Sequence, residues 1–212
     1  MPNFEKMKRQ IYNIKTLKDK KFQTLEFNEQ YKMLFGSPQR NFIAMCYGES
    51  GSGKSVFLLK FADYFAKNFG KVLYNSHEEG VNQTVIDRIN NFEITAKKLF
   101  IGNALNFDEM CEKIEKNYYR LVIIDSVKYM NFTFAQLKEL RTRFAKRQII
   151  VIMVDFGKAK GKPQSSIDLL HAADVKMYIK QGHINSVSRY LPTEVNYTLF
   201  KPQKSSNYPT LF

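Results

Sequence analysis

Residues 42–55 read FIAMCYGESGSGKS, and this stretch decides the fold. The first six residues are apolar or aromatic, which is typical of a buried β-strand. The next eight fit the pattern G-x-x-x-x-G-K-S, and an apolar-rich segment of helical length follows over residues 56–66. We therefore expect a strand, a glycine-rich turn and a helix in immediate succession.

The glycine-rich turn has the composition of a phosphate-binding loop. Glycines let backbone amides approach phosphate oxygens, and the N-terminus of the following helix directs its positive dipole end at the same anion. Lys54 is expected to reach the β- and γ-phosphates and Ser55 to bind Mg²⁺. A flexible Gly/Ser turn is the alternative. The predicted nucleotide contacts are Gly48, Glu49, Ser50, Gly51, Ser52, Gly53, Lys54, Ser55 and Val56.

Apolar runs alternate with helical patterns along the rest of the chain. Strands are predicted over residues 72–75, 99–101, 121–124 and 148–154, and helices over 81–89, 108–116 and 134–144. Strands that are apolar throughout and separated by helices indicate an α/β fold, in which helices cover both faces of a mostly parallel sheet. Two added edge strands are expected near the C-terminus, over residues 175–179 and 196–200.

Length and composition exclude several classes of protein. The chain has 212 residues, of which 44% are hydrophobic, so it can build a packed core and is not globally disordered. It contains neither an apolar run of membrane-spanning length nor a pattern typical of a secretory signal, and its two cysteines are too few for a disulfide framework. We expect an intracellular protein with no membrane partner. Its predicted parts are a basic arm (1–22), one domain (23–200) and a flexible tail (201–212).

Most of the net charge of +13 is concentrated in two stretches. Residues 1–22 hold seven Lys/Arg against two acids, and residues 138–162 hold eight against two. Clustered positive charge favours binding to a polyanion such as nucleic acid, whereas a solvated surface is the alternative. Within the second stretch Lys158, Lys160 and Lys162 predict a mobile basic loop that contacts phosphates, and Phe156 is a candidate for base stacking.

Other basic residues of the second stretch precede the loop. Arg141, Arg143, Lys146 and Arg147 lie on or after the predicted helix. They are expected either to extend the same nucleic-acid surface or only to keep that part of the chain soluble.

Acidic residues follow two of the predicted strands. Asp125 ends the run over 121–124, so it is expected at the carboxyl end of a strand, where α/β proteins bind ligands, and there it would bind Mg²⁺. Glu78 and Glu79 follow another strand, and a carboxylate there can orient water for attack on a γ-phosphate; we favour Glu78. Alternatively, Asp125 caps a helix or turn, and the two glutamates only begin a helix.

Taken together, these motifs resemble those of the RecA-like ATPases, in particular the branch of RadA and the DnaB-type helicases. The similarity rests on residues 48–55, on residues 74–79 with Gln83 and Arg88, and on residues 121–126. Looser likeness extends over residues 154–174 and 188–194. The resemblance implies a RecA-like fold, ATP as the nucleotide, Glu78 as the catalytic glutamate and a homo-oligomer with ATP at subunit interfaces.

The looser part of the resemblance implies two further sites. The stretch with Lys158, Lys160 and Lys162 corresponds to a DNA-binding loop, and Arg189 to a basic residue that acts on the neighbouring subunit's ATP. Two departures reduce the expected turnover. Asp155 stands where the family has a neutral polar residue or a histidine, so it would repel a γ-phosphate unless a cation such as Lys158 neutralises it. The trans-acting lysine is replaced by Val187.

The expected function is that of an Mg²⁺-dependent, DNA-stimulated ATPase that works as an oligomer on DNA, preferably single-stranded, in recombination, repair or unwinding. The family's N-terminal helicase domain and zinc module are not expected, since two cysteines cannot supply a four-thiolate zinc site. One alternative is an ATP-gated binding or scaffold protein with little turnover. Another is a small P-loop phosphotransferase, which the shortage of arginines after residue 147 disfavours.

Overall fold

The computed structural model describes residues 11–158, 161–165 and 167–199. Nine strands and seven α-helices are formed there, with a short 3₁₀ helix over Ala145–Arg147. The strands are β1 (Ile43–Gly48), β2 (Lys71–Ser76), β3 (Leu99–Asn103), β4 (Tyr119–Asp125), β5 (Ile150–Lys158), β6 (Lys162–Pro163), β7 (Val175–Lys180), β8 (His183–Ser188) and β9 (Val195–Thr198). The helices are α1 (Ile14–Lys18), α2 (Glu29–Phe35), α3 (Lys54–Asn68), α4 (Gln83–Asn91), α5 (Phe107–Lys116), α6 (Phe134–Arg143) and α7 (Ile167–Ala172).

The strands form a mostly parallel sheet in the order β3-β2-β4-β5-β1-β7-β8-β9. The first six strands of this order are parallel, whereas β8 and β9 are antiparallel additions. The short β6 pairs with the end of β5. This architecture confirms the predicted α/β class and the added edge strands. The strand β8, which no apolar run predicts, lies between the two expected ones.

Parallel strands end at the same side of a sheet, and this defines two edges of the domain. At the carboxyl edge lie the ends of β1, β2, β4 and β5. The opposite, amino edge carries the starts of these strands and the end of β8. Since β5 has nine residues, the two edges are about 25 Å apart.

Helices cover both faces of the sheet, as the apolar strands require. On one face α2 and α3 pack against the side chains of Cys46 and Val154, with Phe35 stacked on Phe61 at 4.7 Å between ring centroids. On the other face α5, α6 and α7 pack against Met45 and the strand residues that share its direction. Burial of both faces is the main stabilising contribution to such a fold.

Local capping sets where several helices begin. Asn106 caps α5 and Thr133 caps α6, and each forms a capping box with the side chain three residues later. Asn82 caps α4, so that helix begins at Gln83. The predicted helix over 81–89 is therefore wrong at its start: Val81 precedes the cap and its side chain is exposed.

The ends of the chain are only partly described. Residues 14–18 form α1, none of whose side chains is buried, whereas core packing begins with Leu25 and Phe27. Residues 1–10 and the predicted tail over 201–212 lie outside the described residues, so the predicted division of the chain stays a prediction. No helix of the described ranges combines the length and the apolar character that crossing a membrane requires.

Candidate phosphate and nucleotide site

The glycine-rich turn connects β1 to α3 at the carboxyl edge. Gly51 and Gly53 adopt positive φ angles of +72° and +103°, which favour glycine. A Cβ on Gly48 would lie only 2.0 Å from the carbonyl oxygen of Ile179 in β7, so a side chain has no room there. The amide of Gly182, in the turn between β7 and β8, donates to the carbonyl of Ser52 at 3.0 Å. The neighbouring hairpin thus fixes the outer side of the turn.

Lys54 lies inside the turn and is buried. Its Nζ donates to the carbonyl oxygens of Gly48 at 2.9 Å and Glu49 at 2.7 Å. The ammonium also lies 5.5 Å from the ring centroid of Phe156. These partners carry no net charge, so they leave the positive charge of Lys54 available for an anion.

Asp125 ends β4 at the same edge and is buried. The hydroxyl of Tyr74 donates to its Oδ2, while Oδ1 is buried and has no hydrogen-bond partner among the described residues. Burial raises the pKa of this carboxyl, and the Tyr74 hydrogen bond and the Lys54 charge oppose that shift. A buried carboxylate oxygen without a partner is costly, and a bound cation would satisfy it.

Unpaired buried polar atoms concentrate at the carboxyl edge. Five buried side-chain polar atoms of the described residues lack a hydrogen-bond partner, and four of them belong to this edge. These four are Ser52 Oγ, Asp125 Oδ1, Ser126 Oγ and Asp155 Oδ1. Because buried polar groups are normally paired, such a concentration points to a polar ligand.

The two candidate glutamates differ in their contacts. The amides of His77 and Glu78 both donate to the carbonyl oxygen of Asp125, the latter at 3.2 Å, so this segment is held beside the end of β4. Glu79 is engaged by Arg88, whose guanidinium donates to both carboxylate oxygens at 3.0 and 3.1 Å. The Glu78 side chain forms no hydrogen bond or ion pair with the described part of the chain.

The carboxyl of Glu78 is also tuned by its surroundings. It is half-buried, and this burial, followed by the charge of Asp125, raises its pKa above the ordinary value. A less acidic carboxylate is a stronger base towards water. The two glutamates therefore differ: Glu78 has no partner in the described part of the chain and is the stronger base, whereas Glu79 pairs with Arg88.

Contacts of Asp155 correct one expectation from the sequence. Its Oδ2 accepts hydrogen bonds from the amide and the hydroxyl of Ser165, at 2.7 and 2.6 Å, and within the described ranges it pairs with neither Lys158 nor another cation. The residue is fully buried in β5, where it fixes the chain that returns from β6. Hydrogen bonding by Ser165, which the sequence analysis did not consider, is what stabilises the carboxylate.

Two of the three predicted loop lysines lie on a β-hairpin that extends the carboxyl edge. Lys158 and Lys162 are exposed and directly opposite each other in the β5–β6 pair, and Lys160 lies outside the described residues. Like charges in opposite positions repel each other, and a polyanion would relieve this repulsion. At the base of the hairpin, a Cβ on Gly157 would lie 2.9 Å from the Cα of Gly48, so the hairpin touches the glycine-rich turn.

The amino edge carries the basic residues that do not reach this site. Arg189 follows β8, and its guanidinium donates to Asp174 at 3.0 Å. The structure therefore does not bring Arg189 together with Lys54, Glu78 and Asp125 in one chain. Its side chain is 65% exposed, which leaves it accessible to another molecule.

The arginines around the end of α6 also lie at the amino edge. Arg143 pairs with Glu115 at 2.7 Å, and Arg147 donates to three carbonyl groups at the end of α5. Of the two alternatives drawn from the sequence, the shared surface is wrong: Arg141, Arg143, Lys146 and Arg147 are separated from the β5–β6 hairpin by the full length of β5. Arg143 and Arg147 stabilise the end of α5.

The sequence analysis gave no role to one aromatic residue of the site, Tyr74, and a different role to a second, Phe156. Tyr74 donates a hydrogen bond to Asp125. It lies two residues before Ser76, so both side chains are on the same face of β2 near its carboxyl end, and this spacing could have identified it. Phe156 is half-buried beside Lys54, so its ring is not the open stacking surface that the sequence suggested. The described residues contain no group of three or more His, Cys, Asp or Glu side chains that could by themselves hold a metal ion.

The chain is similar to known proteins both in sequence and in fold. No protein-family model matches the chain. DNA repair protein RadA of Chlamydia trachomatis is 26% identical over 167 residues, which cover 73% of this chain and 37% of that protein. RadA of Campylobacter jejuni is 34% identical over 100 residues, covering 47% and 22%, and RadA of Helicobacter pylori is 30% identical over 145 residues, covering 63% and 32%. The chain thus spans less than half the length of these relatives.

Two solved structures share the fold. A KaiC-like protein from Pyrococcus horikoshii superposes with a TM-score of 0.59 at 15% identity, over 84% of this chain and 93% of that one. The second structure, an ATPase domain, gives a TM-score of 0.54 at 15% identity, over 74% and 81%. Together with the RadA relatives, these structures confirm the resemblance drawn from the motifs: the sequence is similar to that of RadA, and the fold is shared with the KaiC-like protein and the ATPase domain.

Proposed function

We propose that this chain binds ATP with Mg²⁺, hydrolyses it and acts on DNA as an oligomer. The observation that carries the proposal is the unpaired, buried Oδ1 of Asp125 beside the turn that encloses Lys54. The names of the RadA relatives, which are DNA repair proteins, support a role in DNA repair, and recombination and strand unwinding are the other roles that we consider. DNA stimulation and oligomer formation are parts of the proposal.

The donor set fits Mg²⁺. This ion prefers oxygen ligands and keeps several waters, so one carboxylate and one hydroxyl from the protein suffice. Asp125 Oδ1 and the hydroxyl of Ser55, which lies in the first turn of α3, would hold it. When bound, Mg²⁺ neutralises phosphate charge and orients the triphosphate.

We assign hydrolysis to residues whose present contacts would allow them to bind phosphate or water. Lys54 would exchange its two carbonyl partners for β- and γ-phosphate oxygens, and the backbone amides of residues 48–56 would cradle the phosphates. Glu78 would orient the attacking water, because its carboxylate has no partner among the residues that the structure describes and its pKa is raised. Glu79 is unsuited to this role while Arg88 holds both of its oxygens.

A second subunit would complete the site. Arg189 lies at the amino edge, roughly a strand length from its own glycine-rich turn, so any action on ATP must come from a neighbouring copy. To act there, its guanidinium would have to leave Asp174. This reasoning supports a homo-oligomer in which each ATP lies between two chains.

Nucleic acid would contact the β5–β6 hairpin. Lys158 and Lys162 are exposed there, and Lys160 lies between them in sequence. Each phosphate that they neutralise releases counterions, so the affinity should fall steeply with salt. Contact between Gly157 and Gly48 gives this surface a direct connection with the nucleotide site.

The test is Mg-ATP turnover of the full chain with and without single-stranded DNA. We expect Glu78→Gln to lower turnover about 100-fold or more, which is the usual contribution of a positioned base, while nucleotide still binds. The matched control is Glu79→Gln, which should retain most of the turnover. A Glu78→Gln variant as active as the wild type would overturn the assignment, and wild-type protein that does not bind ATP would overturn the proposal.

An ATP-gated scaffold with little turnover is a second candidate. Two observations favour it: the pairing of Arg189 with Asp174, and the presence of Val187 at the position where the resemblance implies a trans-acting lysine. Tight Mg-ATP binding with no turnover in the presence of DNA, in a sample that light scattering shows to be oligomeric, would select the scaffold over the motor.

A further inference from the structure

An exposed aromatic side chain stands beside the β5–β6 hairpin. Tyr129 lies in the turn that follows β4 at the carboxyl edge, and 55% of its surface is exposed. Its ring contacts Phe156 edge to face, with 5.8 Å between the centroids and 68° between the ring planes. This contact orients the Tyr129 ring while more than half of its surface remains in water.

Basic side chains lie on the same edge of the domain as this ring. Lys128 donates to the side chain of Gln164 at 2.7 Å, close to where β6 ends, and its ammonium lies 5.5 Å from the centroid of Phe156. The hairpin lysines Lys158 and Lys162 follow on the same edge. The turn over residues 126–131 and the described hairpin residues around these lysines contain no acidic side chain.

Exposure alone would not make Tyr129 a binding residue, because single exposed aromatics are common. Tyr118 shows this, since it is 75% exposed at the amino edge, next to Arg147 and far from the hairpin. What distinguishes Tyr129 is its edge-to-face contact with Phe156 on the same edge as Lys128 and the exposed hairpin lysines, whereas Arg147 beside Tyr118 donates to three backbone carbonyls. Proteins that bind single strands combine these features: cations track the phosphates, and aromatic rings stack on the bases.

We infer that Tyr129 stacks on an unpaired base of a single-stranded nucleic acid whose phosphates lie along Lys128 and the β5–β6 hairpin. The inference rests on the nucleic-acid binding proposed above and adds the residue that contacts a base. Phe156 would hold the stacking ring in place through their edge-to-face contact. Since the bases of a duplex are already stacked on each other, a contact of this kind selects single strands over duplexes.

The sequence provides a clean reporter for this contact. The chain contains no tryptophan, so Tyr129→Trp introduces a single indole at the proposed site and Tyr118→Trp introduces one at the opposite edge as the matched control. We expect an unlabelled oligothymidine, added with Mg-ATP, to quench the emission of the Tyr129→Trp protein and leave that of the Tyr118→Trp protein unchanged. A duplex oligonucleotide should quench neither.

Affinity measurements complete the test. Anisotropy of a fluorescein-labelled oligothymidine should show that Tyr129→Ala binds about 5-fold to about 150-fold more weakly than the wild type, as expected for one lost stacking contact. Tyr129→Phe and Tyr118→Ala should bind like the wild type. Thermal unfolding of each variant verifies that it is folded.

Two results would overturn the inference in different ways. Unchanged affinity of Tyr129→Ala together with unquenched Tyr129→Trp, while Lys158→Glu with Lys162→Glu weakens binding, would remove Tyr129 from the interface and keep the proposed function. Wild-type protein that does not bind the oligothymidine at all, with or without Mg-ATP, would overturn the nucleic-acid role itself.

Discussion

Replacing Asp125 by asparagine should stabilise the protein in the absence of Mg²⁺ and nucleotide. The carboxylate is buried, its Oδ2 is held by Tyr74, and its Oδ1 has no partner in the described part of the chain. An unpaired buried polar atom costs about 1–3 kcal/mol, and more when it is charged. Asparagine removes the charge but leaves an unpaired amide nitrogen, so we expect a gain of about 1–2 kcal/mol at neutral pH. For a chain of this size, that gain corresponds to about 2–8 °C in Tm.

The gain should depend on pH in a defined direction. Burial raises the pKa of Asp125 above its ordinary value of 3.8, so between that value and the folded-state pKa the native protein holds more protons than the unfolded chain. The free energy of unfolding of the wild type therefore falls as the pH rises through this window. Above the window the whole destabilisation by the buried carboxylate is present. Below pH 3.8 the acid is protonated in both states, and the variant should have almost no advantage.

Differential scanning calorimetry in EDTA, from the acid limit of solubility to about pH 8, measures this difference across the window set by the raised pKa. Saturating Mg-ADP provides the control, because it should reverse the ranking: ligand at about 100 times its Kd adds about 2.7 kcal/mol to the wild type and less to a variant that has lost the metal ligand. An Asp125→Asn protein that is less stable than the wild type at neutral pH, or equally favoured at both ends of the pH range, would refute the reasoning.

Three further substitutions test other parts of the structure. Gly157→Ala should destabilise the fold by about 1–3 kcal/mol and weaken nucleotide binding, since the new Cβ would lie 2.9 Å from the Cα of Gly48; calorimetry and ADP titration measure both effects, and unchanged values would contradict the close contact. Tyr74→Phe removes the hydrogen bond that lowers the pKa of Asp125, so in EDTA the loss of stability with rising pH should extend to higher pH than in the wild type; an unmoved window in calorimetry would count against that role. Arg147→Ala should cost about 1–3 kcal/mol by freeing carbonyl groups at the end of α5, yet leave the affinity for DNA unchanged; weaker DNA binding by the folded variant would contradict the separation of the two edges.

Patterns in the sequence predicted the structure correctly where a single local rule determines it. The order of residues 48–55 requires a turn between a strand and a helix, and apolar runs such as 121–124 can only be buried on both faces of a sheet. Capping decided what spacing could not: Val81 continues the helical period, but Asn82 bonds to the amide of Val85 and starts α4 after it.

Contacts between distant parts of the chain were beyond the reach of such rules. The sequence favoured Glu78 over Glu79, but the physical difference between them, the pairing of Glu79 with Arg88, is visible only in three dimensions. Likewise, Asp155 reads as an unpaired acid until Ser165, ten residues later, folds back on it. The basic residues of 138–162 form one cluster in sequence, yet the nine residues of β5 divide them between opposite edges.

The contact between Gly157 and Gly48 has a mechanical consequence. Two main chains meet there with no side chain between them, and even one added carbon atom would be too close. A side chain can change rotamer when its neighbour moves by a small distance, whereas two backbones in contact cannot adjust in this way. A movement of the glycine-rich turn towards β5 must therefore displace the base of the β5–β6 hairpin. A force on the hairpin is transmitted to the turn through the same contact.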